Sequence, residues 1–137
     1  MKIFHLVRWL FVISCILSAC EKASTDHTGP VISAVQTSGN VLVISDCAGT
    51  SISISANVTD PSNVKSVLLF YRVANEPFAS TSMELKDGVY QASLVGSDFL
   101  GKGYGNLEFY IQAQDGAGNV SKSSINQSVQ FLPCVSS

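Results

Sequence analysis

Residues 51–58, Ser-Ile-Ser-Ile-Ser-Ala-Asn-Val, alternate polar and apolar side chains without a break. A strand sends successive side chains to opposite faces, so Ile52, Ile54, Ala56 and Val58 form one buried face and the polar residues form the other. The same period returns at 107–114, where Leu107, Phe109, Ile111 and Ala113 alternate with Glu108, Tyr110, Gln112 and Gln114. Residues 64–73 are a β-branched and aromatic run suited to a central strand. Segments 81–85 and 89–94 flank Asp87-Gly88, a hairpin signal because a type I′ turn needs positive φ at both central positions. Asp115 to Asn119 turns the chain into a last strand from about Val120 to Phe131, with an interruption near Asn126. After the first nineteen residues nothing long has a helical period. About seven short strands with turns between them predict an all-β, seven-stranded antiparallel β-sandwich.

The first nineteen residues are of another kind. Lys2 and Arg8 precede an apolar run from Trp9 to Leu17, and the small residues Ser18 and Ala19 follow. Basic start, apolar middle and small-residue end are the layout of a secretory signal peptide, and the run is short of the ~20 residues that span a bilayer. A retained membrane anchor is the alternative. From Cys20 onward the chain holds six basic and ten acidic residues, a net charge of −4. A mildly acidic domain without a basic patch is unsuited to nucleic acid, whose affinity comes from neutralising phosphates.

Leu17-Ser18-Ala19-Cys20 resembles the lipobox of bacterial lipoproteins. The resemblance implies that the Cys20 thiol receives a diacylglyceryl group, that residues 1–19 are cut away, and that the new amino terminus is acylated, by palmitate for example. It places the chain in the cell envelope, held to a membrane by its lipid. In a Gram-negative envelope Glu21 implies the outer membrane, since aspartate at that position favours retention at the inner one. Residues 20–29 then read as the lipidated cysteine and a polar, flexible tether. A tether of this length has an r.m.s. span of roughly 17 Å and a full reach of about 33 Å, so the domain at 30–137 works close to its membrane.

With Cys15 removed and Cys20 lipidated, Cys47 and Cys134 remain, and two cysteines in an oxidising compartment are expected to pair. Such a bridge would close a loop nearly as long as the domain, for about 4–5 kcal/mol in the chain-entropy account. A redox-active thiol is the alternative; no C-x-x-C or cationic cluster accompanies it.

Three further segments carry a second resemblance. Residues 55–72 (S-A-N-V-T-D-P-S-N-V-K-S-V-L-L-F-Y-R), 87–94 (D-G-V-Y-Q-A-S-L) and 107–119 (L-E-F-Y-I-Q-A-Q-D-G-A-G-N) are similar to the bacterial immunoglobulin-like and fibronectin type III-like repeats of envelope proteins. The likeness runs over about residues 30–134 and departs at Asn63, where the family often has glycine, and at the connection 95–106. It implies the fold, because its motifs are turns and core faces. In that topology the start of the second strand, after Cys47, and the end of the last, before Cys134, share a pole, in agreement with the disulfide.

Function is less constrained. The only histidine after the signal segment is His27, in the tether, so no nucleophile–histidine pair stands on a rigid scaffold and no Cys/His metal site is present. The reading is a non-enzymatic module, without cofactor, that binds an envelope protein or glycan or serves as an accessory subunit. A small hydrolase is a remote alternative. Asp60, Asn63, Asp115 and Asn119 come from two turns at one pole and offer oxygens for calcium in an adhesion-type domain, although such residues also stabilise turns unaided. Phe99, Leu100 and Tyr104, in the glycine-rich connection 95–105, are either a binding loop or a cap folded onto the core. Which pole the tether leaves from depends on whether the chain makes a hairpin at Gly39-Asn40.

Overall fold

The computed structural model describes residues 26–44, 50–99 and 105–133. Among them lie ten strands: β1 (Val31–Thr37), β2 (Val41–Ile44), β3 (Ser51–Thr59), β4 (Val64–Val73), β5 (Ala79–Ser82), β6 (Glu84–Lys86), β7 (Val89–Val95), β8 (Gly105–Asp115), β9 (Val120–Lys122) and β10 (Asn126–Pro133). A 3-10 turn occupies Gly96–Phe99. The order β1-β3-β7-β6 makes a four-stranded sheet, and β2-β10-β8-β4-β5 makes the other, with β9 also paired to β8.

The alternation seen in sequence is the burial pattern. Ile52, Ile54, Ala56 and Val58 of β3 and Leu107, Phe109, Ile111 and Ala113 of β8 are buried in one cluster with Val67, Leu69 and Phe131. Asp87 and Gly88 both have positive φ, as the hairpin between β6 and β7 requires. Asn63 also sits at positive φ, a conformation asparagine tolerates, so its departure from glycine keeps the turn.

The expectation of seven strands, all antiparallel, is corrected in two ways. First, the expected strand at 81–85 is two strands. The chain leaves the six-stranded sheet after β5 and joins the four-stranded sheet as β6, with the buried Met83 between them. The last strand likewise divides into β9 and β10, at the interruption expected near Asn126. Second, β2 pairs with β10 in parallel. The cause lies at Gly39-Asn40, where the chain makes no hairpin but crosses from one sheet to the other. β2 therefore keeps the direction of β1 and meets β10 running the same way.

This crossing fixes the poles. Val31 of β1 lies opposite Thr59 at the end of β3, so the amino-terminal segment enters beside the β3–β4 and β8–β9 turns. Val95 lies opposite Ser51 and Val73 opposite Leu107, which puts the 96–99 turn and the β4–β5 connection at the other end. Entry pole and distal pole are thus separated by the length of the sandwich.

Phe109 is fully buried between the sheets. Phe109→Ala is expected to lower stability by about 3–5 kcal/mol in urea unfolding. A loss below ~1 kcal/mol would contradict a shared two-sheet core.

Candidate functional site

At the entry pole, Asp115 ends β8 and is the buried charged residue of the described chain. A buried carboxylate needs donors, and the turn after it supplies them. Asn119 donates its backbone N–H to Oδ1 and its side-chain N–H to Oδ2, both at 2.8 Å. The same side-chain amide reaches the carbonyls of Asp26 at 3.0 Å and Thr28 at 3.3 Å. Asp26 in turn accepts the Ser62 hydroxyl and, at 2.9 Å, the Thr28 N–H. Gly116 donates its N–H to the Asn63 carbonyl at 2.9 Å, and a Cβ there would meet the Ser62 carbonyl oxygen at 2.7 Å. Only glycine lets the two turns approach this closely.

Residues 26–29 were expected within the flexible tether. They are instead seated on the domain: Gly29 packs so closely against Ser121 and Val120 that a Cβ would meet the serine oxygen at 2.6 Å. Asp26 and Ser62 are thus participants that the sequence reading left out. The available signal was Asp26-His27-Thr28, whose aspartate bonds the backbone two residues on, as turn-forming aspartates do.

Carboxylate oxygens of Asp26, Asp60 and Asp115 lie within 4.8 Å of one another. The structure therefore brings two of the four calcium candidates, Asp60 and Asp115, together with a third acid. It gives Asn63 and Asn119 other tasks: Asn63 offers its backbone carbonyl to Gly116, and Asn119 turns its amide N–H groups toward the Asp115 carboxylate and the backbone carbonyls of Asp26 and Thr28. The Ser62 hydroxyl, then the Thr28 N–H, hold the Asp26 carboxyl below its ordinary value. Burial pushes the Asp115 carboxyl up, but the Asn119 side chain and the backbone N–H groups of Asn119, Gly118 and Ala117 outweigh it and keep it low.

At the distal pole the structure places Phe99 in the core, 4% exposed. Its ring meets Phe131 and Tyr71 edge-on, at centroid distances of 4.8 and 5.6 Å. Phe99 packs as a cap on the sandwich and also lines the cleft above it. Leu100 and Tyr104 lie outside the described residues, as do Cys20, Cys47 and Cys134. Above Phe99 opens a cleft of about 220 Å³ lined by Tyr71, Arg72, Glu76 and Asp98 among others. Arg72 leaves this cleft to pair with Glu108 at 2.6 Å on the solvent face of the six-stranded sheet. There Phe70 stacks on Tyr110 across the strands at 4.9 Å, and Phe78 meets Tyr110 edge-on at 5.3 Å.

No family model matches the chain, and no curated protein matches it in sequence. Among solved structures, the crystal structure of a bromine derivative of BhCBM56 is similar with a TM-score of 0.42 and 12% identity, over 61% of this chain and 82% of that chain. A likeness of that degree carries no argument about function.

The lowered pKa values have a consequence of definite sign. A carboxyl whose folded pKa lies below its unfolded value, about 3.9 for aspartate, contributes stability that is complete above the unfolded pKa. That contribution is lost as pH falls through the folded pKa. The melting midpoint is expected to drop on acidification below about pH 4, and to drop less in Asp115→Asn, which starts lower at neutral pH. Melts of both proteins between neutral pH and pH 2 check this; equal acid slopes would remove Asp115 from the account.

Proposed function

We propose that the chain is a lipid-anchored, non-enzymatic envelope module: a signal peptide at 1–19, a lipidated Cys20, and an immunoglobulin-like binding or accessory domain held near the membrane. The sheet order supports the immunoglobulin-like assignment. β1, β3, β7 and β6 correspond to strands A, B, E and D, and β10, β8 and β4 to G, F and C, with β5 added beyond C. The observation that carries the reading is the separation of the poles. The chain enters at the Asp115 pole, so a lipid on Cys20 holds that pole to the membrane and turns the cleft-bearing pole outward. With residues 26–29 seated on the domain, the tether expected from the sequence shortens to 20–25, for which a flexible chain would have an r.m.s. span of about 13 Å. A bridge between Cys47 and Cys134 is supported by the strands leading into them, since Ile44 and Pro133 are register partners.

The intact mass of the chain purified from a bacterial envelope tests this reading. It is expected to begin at Cys20 with added acyl chains and to gain two hydrogens on reduction. An unlipidated mass starting at Met1 would overturn the anchor.

The three adjacent carboxylates favour a second reading, a domain of adhesion type that calcium stabilises at the entry pole. Calcium takes 6–8 oxygens, so the Asn119 amide would have to rotate its oxygen inward. On this reading calcium raises the melting midpoint over that in chelator, according to RT ln(1 + [L]/Kd). An unmoved midpoint removes it.

A further inference from the structure

β5 is the end of the six-stranded sheet, and among the described residues it pairs only with β4. Its register sets Ala79 opposite Tyr71 and Thr81 opposite Leu69, and just beyond it Met83 donates its N–H to the Val67 carbonyl at 2.9 Å. Residues of an antiparallel ladder alternate between bonding toward the partner and away from it. Met83, Thr81 and Ala79 bond inward, so the N–H and C=O groups of Ser80 and Ser82 point out of the sheet. Natural edges are commonly blocked by lysine, proline or a bulge. β5 reads Ala-Ser-Thr-Ser and carries none of these, so that its shortness, four residues, is what limits pairing along it.

The surroundings of this edge are shaped. At one end Ala79 borders the distal cleft with Glu76 and Asp98; at the other, Thr81 and Ser82 border a polar cleft of about 240 Å³ with Glu84 and Gln91. On the solvent face the small Ser80 lies opposite the half-buried Phe70. The basic lining residue of the distal cleft, Arg72, is engaged by Glu108, so the cleft presents acid.

We propose that β5 is a strand-addition site. An extended segment of a protein partner pairs with Ser80 and Ser82 as a further strand of the sheet and sets a basic side chain in the cleft lined by Glu76 and Asp98. Main-chain bonds supply affinity in this mode, and the pockets along the edge supply specificity. The proposal deepens the module reading by giving the partner's chemistry, and it rests on that reading for the outward orientation of the edge.

The test uses the full chain purified from the envelope in detergent, with fluorescent blocked octapeptides of alternating Thr and Val that end in Lys, Ser or Glu. The Lys-ended peptide is expected to bind tightest and to slow hydrogen exchange across residues 79–82. Ser80→Pro and Ser82→Pro remove only outward N–H groups, so each is expected to keep the melting midpoint and to weaken the peptide about tenfold. Glu76→Lys with Asp98→Lys is expected to transfer the preference to the Glu-ended peptide. Absence of binding by every peptide, binding indifferent to both proline variants, or self-association through β5 in sedimentation would each overturn the proposal. Lipidation is read by mass, independently of peptide binding, so failure here leaves the anchored module standing.

Discussion

The structure is organised around a carboxylate that has no access to water. Asp115 closes the most buried strand of the larger sheet, and its charge is tolerable only because the following turn curls back to supply donors. That curl sets Asn119 over the entering chain and brings Gly116 against the β3–β4 turn. One polar knot thereby joins three segments that are distant in sequence, the amino-terminal one among them. The position of every other element relative to the tether follows from it, because β1 starts where the knot releases the chain.

Two crossings between sheets then shape the surfaces. At Gly39-Asn40 the chain crosses to extend the larger sheet with β2; at Met83 it crosses back to extend the smaller one with β6. The first carries the chain on toward the distal pole. The second ends β5 after four residues and leaves it as an edge between two clefts. The solvent face beside that edge is ordered by its own contacts: Arg72 lies over Phe78 at 4.5 Å while holding Glu108, and Lys122 lies over Tyr110 at 5.5 Å. Cation–π contacts of this kind cover aromatic surface that would otherwise face water.

Much of this was legible in sequence where physics is local. Alternation at 51–58 and 107–114 gave the inward faces of β3 and β8 residue by residue, and Asp87-Gly88 gave its turn, because side-chain period and positive φ are properties of neighbouring residues. The sheet crossings were not legible. Whether Gly39-Asn40 turns a hairpin or passes a chain between sheets depends on which partner waits beyond it, and β10 is nearly ninety residues away. The candidate site divides along the same line. Asp60 and Asp115 were identified from their turns, whereas Asp26 looked like linker because its partners, Ser62 and Asn119, are brought to it only by the fold. Phe99 read as a cap before an anchor, and it packs as a cap because Phe131 and Tyr71 close around it.

The central claim is that the knot around Asp115 pins residues 26–29 to the domain and so fixes the pole at which the preceding segment joins it, the pole that the proposed lipid would hold to a membrane. Backbone ¹⁵N relaxation on the full chain measures this directly. Order parameters at residues 26–29 close to those of the strands, about 0.85, are the expected result. Values below about 0.6, typical of a free linker, would mean that the segment is not held and that the entry pole has no fixed relation to the tether.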